Sequence, residues 1–247
     1  MERTNTLSAL LGIETGCVAF IGAGGKSSLI RAIATDAAGK RKVAVTTSTH
    51  IWRPQHGIEL DDVTEAELTR ALEAGAPVTL GHPEATGKLS APAIPFETIA
   101  RAADLVLLEA DGSKRLPLKI PNETEPVYPI RPGLVVCVAG LSALGKPFRE
   151  VCFRAERMEN VLNERDPGLV GPSDIATLIT HPKGMLWNLP EGVPAIVVLN
   201  QADSKETKEA ARQIARAIGD PRILRVHTVS LTEDFGGNYA HCCERGR

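Results

Sequence analysis

The sequence predicts a doubly wound α/β fold, a mostly parallel sheet with helices on both faces. Two observations carry this expectation. Apolar, β-branched runs alternate along the chain with longer helix-like segments. Most of those runs are continuous rather than alternating, which is the pattern of strands covered on both faces. The bulk numbers agree: 247 residues, 43% hydrophobic and 23% charged, suffice for one domain with a sizeable core.

The elements follow in order. A strand is expected over 17–21 (CVAFI), then a glycine-rich turn and a helix over 26–36. The second strand is 43–47 (VAVTT), followed by a helix over 64–74 and a strand over 77–80 (PVTL). A helix over 95–103 leads into the fourth strand, 105–109 (LVLLE). The next stretch, 116–132 (LPLKIPNETEPVYPIRP), carries five prolines, which excludes a helix or a central strand there. It reads as an ordered excursion from the end of the fourth strand, near the functional site. A strand over 134–139, helices over 155–163 and 172–179, a strand over 195–199, a helix over 204–218 and a strand over 223–229 complete the series. The whole is expected to be one domain ending in a mobile tail from about residue 232. Ligands of such folds bind at the carboxyl ends of the strands.

Composition excludes several function classes. The formal net charge is -2, so no basic field favours nucleic acid or an anionic membrane. Aromatic residues make up 4%, too few for base stacking. No apolar stretch approaches the ~20 residues of a membrane span, and the amino-terminal MERTNTLSALLG has too short an apolar stretch for a signal peptide. A cytoplasmic protein is expected. The five cysteines, Cys17, Cys137, Cys152, Cys242 and Cys243, show no metal-ligand spacing. Cys17 and Cys137 sit in apolar runs as small core residues. Cys242 and Cys243, beside His241, are either exposed tail thiols or a site for a soft metal or selenium species.

The stretch AFIGAGGKSSLI (19–30) puts three glycines between a strand and a helix. That turn aims backbone N–H groups and the helix dipole at one point, an anion site. The dinucleotide fingerprint G-x-G-x-x-G fits Gly22 and Gly24 but meets Ser27 third, and the second strand ends without the acid that would hold a ribose. The phosphate loop G-x-x-x-x-G-K-[ST] is matched at Gly25-Lys26-Ser27, with Phe20 where its first glycine would stand. The loop thus reads G-x-x-G-K-S, a short form that locally resembles the ATP-dependent amide ligases of the cell-wall pathway. In this reading the amides of Gly22, Ala23, Gly24, Gly25, Lys26, Ser27 and Ser28 cradle phosphates. Lys26 places its ammonium on the β and γ oxygens, and Ser27 ligates magnesium. The fold expectation sharpens to one like the P-loop NTPases.

Three further signals sit at strand ends. TTSTH offers the hydroxyls of Thr46, Thr47, Ser48 and Thr49 to a metal or γ-phosphate, with Thr47 the metal-ligand candidate, and His50 as a proton shuttle or a carbonyl's partner. In LLEADGSKR, Glu109 and Asp111 end a buried strand as a magnesium-holding carboxylate does. Such carboxylates need a cation: magnesium, or Lys114 and Arg115. Glu109, Asp111 and Lys26 are the catalytic candidates, and Ser27, Thr47 and Asp111 the metal ligands. Finally, Asn200-Gln201-Ala202-Asp203 matches the N-K-x-D base-reading motif of GTPases with glutamine for lysine. Asp203 either accepts from guanine or caps the following helix, with Ser204 next to it.

The combination GAGGKS, TTSTHI, EADGSKRLPLK, EPVYP and LNQAD resembles the YqeC family over about residues 15–229. Its members are described as accessory proteins for selenium-dependent molybdenum hydroxylases, with a proposed role in the selenium cofactor. The resemblance implies a P-loop nucleotide-binding protein of the kind that includes metallochaperone GTPases. It implies nucleotide contacts at Gly22, Gly24, Gly25, Lys26 and Ser27, and the acidic strand end at Glu109 and Asp111. Two positions depart from it: Phe153-Arg154 stands where the family pattern has His-Arg, and Gln201 replaces the lysine of the base motif.

The expected function is a magnesium-dependent ATP or GTP hydrolase serving maturation of those hydroxylases. Its partners would be a nucleoside triphosphate and a molybdenum hydroxylase or selenium-carrying protein. The alternatives are a kinase or ligase activating a small substrate, with Lys114, Arg115 and Lys119 binding an anion, and a non-enzymatic module that senses nucleotide.

Overall fold

A computed structural model describes residues 6–53, 58–162 and 168–231. Among them, eight strands form one parallel sheet. In chain order the elements begin with helix α1 (Leu7–Leu11), strand β1 (Gly16–Gly22), helix α2 (Lys26–Ala37) and strands β2 (Val43–Thr47), β3 (Ile51–Trp52) and β4 (Ile58–Leu60). Helix α3 (Glu65–Glu73), strands β5 (Val78–Leu80), β6 (His82–Pro83) and β7 (Lys88–Ser90), helix α4 (Phe96–Ala102) and strand β8 (Leu105–Glu109) follow. Next come β9 (Leu118–Lys119), β10 (Leu134–Gly140), α5 (Phe148–Val151), β11 (Cys152–Phe153), α6 (Glu159–Leu162) and α7 (Pro172–Thr180). The series ends with β12 (Ala195–Asn200), α8 (Lys205–Ala217) and β13 (Ile223–Thr228). The sheet order is β13-β12-β10-β1-β8-β2-β5-β4, an α/β architecture as the alternation predicts.

The described residues group into two compact units. The first comprises the described parts of 1–20, 27–112 and 127–134. In it β1, β2 and β8 pair in register, Phe20 opposite Glu109 and Thr47 opposite Glu109, so three strand ends meet at one acidic residue. All five residues of β8 are buried, as a strand covered on both faces requires. Leu68, Leu72 and Ile99 from α3 and α4 pack with Ala44, Val78, Leu80 and Val106 of the strands. Each such buried leucine or isoleucine contributes about 1.5–3 kcal/mol. Thr64 starts α3 through a reciprocal cap: its hydroxyl accepts from Glu67 N, and Glu67 accepts from Thr64 N.

The second unit comprises the described parts of 21–26, 113–126 and 135–247. Here β10 pairs with β12 and β12 with β13. Helix α8 buries Ala211, Ile214 and Ala215. Its cap is Ser204, whose hydroxyl accepts from Thr207 N at 3.2 Å; Asp203 lies one residue outside and does not cap. The proline-rich excursion is neither helix nor central strand: its β9 pairs with β11 in a separate two-stranded sheet.

Two expectations change. The helix foreseen over 155–163 is a 3-10 turn, Ala155–Arg157, followed by α6. Arg154 just before the turn has a φ of 62°, left-handed, so no helix extends back past Ala155. An eighth sheet strand, β4, was not foreseen, because its three residues are only half-buried at the sheet edge and make no apolar run. Among the described residues no helix is long and apolar enough to cross a membrane.

Candidate phosphate-binding loop and its surroundings

Strand β1 ends at Gly22 and α2 begins at Lys26, so Ala23, Gly24 and Gly25 make the connection. Gly24 has a φ of 85° and Gly25 a φ of 110°, conformations that glycine enters without strain. The loop is also seated too tightly for side chains. A Cβ on Gly24 would lie 2.3 Å from Gly140 N, and one on Gly25 2.5 Å from Asn200 Nδ2.

Hydrogen bonds fix this conformation. Ala23 N donates to Val138 O at 2.8 Å, and Gly24 N donates to Leu116 O at 3.1 Å. Two amides expected to face a phosphate are therefore spent on the chain itself. The first-turn N–H groups of α2, at Lys26, Ser27 and Ser28, have no carbonyl within the helix to accept them. Ser27 and Ser28 are exposed. The amino-terminal end of α2 thus retains the donor set and the dipole of an anion site. Lys26 is buried, and its Nζ donates to Gly22 O at 2.6 Å, folding the ammonium back over the loop.

Asn200, at the end of β12, donates from Nδ2 to Gly24 O at 2.8 Å. Its own Oδ1 is buried without a partner. This residue, a base-motif candidate, acts here as a clamp on the glycine loop. Gln201 has a φ of 65°, and its Oε1 accepts from Ser142 Oγ at 2.7 Å. Asp203 is exposed, and its Oδ1 accepts from Ser230 Oγ at 2.5 Å. Ala202 N donates to Val229 O, which ties the Asn200–Asp203 turn to the end of β13. Ser142 and Ser230 were not legible as site residues, since only folding places them at these partners.

In the first unit, Ser27 Oγ donates to Glu109 Oε2 at 2.8 Å. Glu109 at the end of β8 is 7% exposed and Asp111, two residues beyond it, is 2% exposed, so both carboxyls sit in a low-dielectric setting. A hydroxyl and a carboxylate are hard oxygen ligands of the kind magnesium takes. Of the proposed metal ligands, the structure brings Ser27 next to Glu109 and engages Thr47 elsewhere. Thr47 Oγ1 donates to Glu109 O at 3.0 Å and accepts from Thr49 N at 3.0 Å, stitching β2 to β8. Thr46 Oγ1 donates to Leu80 O, and Ser48 Oγ donates to Val127 O. The threonine run is thus largely spent on strand-end geometry. His50 is exposed and pairs with Glu84 at 2.9 Å.

The excursion carries a second charged group of residues. Lys119 is buried and donates to Glu125 Oε2 at 3.1 Å, and Arg154 Nη1 donates to the same oxygen at 2.8 Å. Burial pushes the Glu125 carboxyl up, but the Lys119 charge and the Arg154 hydrogen bond outweigh it and hold the group below the usual range. Lys114, Lys119 and Arg154 all lie over the Phe153 ring, at 5.1, 5.9 and 4.4 Å from its centre. Lys114, with φ 48°, and Arg154 are bulky residues in left-handed backbone, which costs of order 1–3 kcal/mol each.

Burial pushes the Cys17 and Cys152 thiols up to about 12, which makes them inert packing groups. No cluster of three or more His, Cys, Asp or Glu side chains able to hold a metal ion occurs among the described residues. His241, Cys242 and Cys243 lie outside them.

Two comparisons bear on this geometry. The family model described as "YqeC protein" matches residues 18–156, a span that includes the glycine loop, Glu109 and Asp111. The chain is also similar to an Escherichia coli (strain K12) protein named "Uncharacterized protein YqeC", at 27% identity over 210 residues, covering 81% of this chain and 82% of that protein.

Proposed function

The chain belongs to the YqeC family, and from that premise we propose that it is a P-loop nucleotide-binding protein acting as a magnesium-dependent ATP or GTP hydrolase. The observation that carries the proposal is the hydrogen bond from Ser27 to Glu109. It joins the serine after the loop lysine to the acid ending β8, which is the pairing a phosphate loop needs to hold a metal beside a phosphate chain.

The chain's own groups divide the work. The first-turn amides of α2 would receive the terminal phosphates. Lys26 would exchange its contact with the Gly22 carbonyl for a phosphate oxygen, gaining a charge-assisted hydrogen bond. Ser27 and Glu109 would hold magnesium, with Asp111 in reserve at the same strand end. When bound, the metal supplies a Lewis acid that neutralises charge on the β and γ oxygens. Glu109 or Asp111 would orient the attacking water, and the tight seating of Gly24 and Gly25 keeps the donors fixed while charge develops. Asp203, fixed by Ser230, would read the base.

In the wider role that the motif resemblance implies, hydrolysis serves maturation of selenium-dependent molybdenum hydroxylases. The partner is then a hydroxylase or a selenium-carrying protein.

Lys26→Ala tests the core of this proposal. Titration calorimetry with ATP and GTP in the presence of magnesium should show binding by the parent protein. The variant should lose about 1.5–3 kcal/mol, roughly 10- to 150-fold in Kd. Equal affinity in parent and variant, or no binding by the parent, removes the proposal.

A further inference from the structure

We propose that Lys114 and Arg154, mounted on the Phe153 ring, form a second anion site that takes the phosphate group of a small substrate distinct from the nucleotide. The inference goes beyond the nucleotide reading and stands on separate residues.

Arg154 is the first ground. Its side chain is 16% exposed, and its hydrogen bond goes from Nη1 to Glu125. A guanidinium carries five N–H donors in a planar fork, and the bond to Glu125 uses one of them. Lys114 is the second. Its ammonium lies over the Phe153 ring and has no carboxylate partner among the described residues. The same ring holds the Arg154 guanidinium and the Lys119 ammonium, so one aromatic side chain gathers three cations. Glu125 accepts from both Arg154 and the buried Lys119 on a single oxygen, Oε2.

The ligand class follows from this chemistry. An arginine fork and a lysine ammonium held by one ring supply the fork and the point charge from which a phosphate's oxygens accept. A phosphate monoester carries about -1.5 to -2 charges near neutral pH, enough to answer both cations, whereas a lone carboxylate answers one. The placement suits a second substrate. Leu116 O and Pro117 O, two and three residues beyond Lys114, accept from Gly24 N and Gly140 N, so the segment bearing Lys114 is anchored to the glycine loop itself. Arg154 and Phe153 are fixed to that segment by the pairing of β11 with β9, Phe153 opposite Lys119.

The test uses the full chain carrying Lys26→Ala, which removes the loop's ammonium. Inorganic phosphate and glycerol phosphate are titrated in chloride buffer without magnesium. Saturable binding of both is expected, with glycerol phosphate the tighter. Adding Lys114→Gln or Arg154→Gln should weaken it at least tenfold. Lys114 is exposed, so its substitution leaves the fold intact, and thermal melting checks this. In the chain retaining Lys26, Lys114→Gln should change nucleotide affinity less than threefold. Absence of saturable phosphate binding, or phosphate binding that Lys114→Gln leaves unchanged, overturns the site. Tighter binding of free phosphate than of the ester overturns its assignment to a substrate. Loss of nucleotide binding in the parent protein with phosphate binding intact would sink the hydrolase proposal and leave this site standing.

Discussion

Replacing Gly24 with alanine separates two forces that hold the loop, and Gly16 supplies the control. The two glycines have nearly the same φ, 85° and 81°. Alanine at either position therefore carries the same left-handed penalty, roughly 1–2 kcal/mol. Their surroundings differ. Around Gly16 an added Cβ meets nothing within 4 Å, whereas at Gly24 it lies 2.3 Å from Gly140 N and 2.4 Å from Gly140 Cα. Those atoms are backbone at the end of β10, which cannot rotate aside, so overpacking adds about 1–3 kcal/mol. Gly24→Ala should thus destabilise by about 2–5 kcal/mol and Gly16→Ala by about 1–2. At roughly 2–4 °C per kcal/mol for a chain of this size, the two midpoints should differ by several degrees in calorimetry. Urea titration gives the same comparison at 25 °C. Nucleotide binding should vanish in folded Gly24→Ala and persist in Gly16→Ala. Indistinguishable stabilities for the two variants would refute the claim that β10 sets the loop's shape.

Two further expectations concern other residues. Asp203→Asn should lower GTP affinity relative to ATP and admit xanthine nucleotides if the carboxylate reads guanine; an unchanged GTP-to-ATP ratio in competition binding assigns Asp203 to its bond with Ser230 alone. His227 on β13 is 1% exposed, with both ring nitrogens unpartnered. Burial, then the Arg225 charge, pushes it from 6.5 down to about 4. The folded chain therefore holds His227 neutral, and its contribution to stability is full above pH 6.5 and falls as pH drops toward 4, by ~3 kcal/mol in all. His227→Leu should flatten the stability profile across that window, and an unaltered profile would place the pH dependence in other groups.

What the sequence determined by itself was everything governed by short-range rules. Apolar runs marked seven of the eight sheet strands, because burial on both faces removes polar residues from both sides of a strand. The glycines before Lys26 marked a backbone turn that only glycine enters cheaply, and the acids after β8 marked a charged strand end. Short elements escaped, since three half-buried residues at a sheet edge, as in β4, carry no period. Tertiary structure decided which hydroxyl serves which partner. Ser27 and Thr47 were both metal-ligand candidates, yet one bonds the Glu109 carboxylate and the other its backbone carbonyl. Asn200 reaches Gly24 across 176 residues of chain, and Arg154 meets Glu125 across 29. No local pattern encodes such pairs, because they arise only when parallel strands bring their carboxyl ends side by side, and hydrogen bonding then depends on distances that folding alone sets.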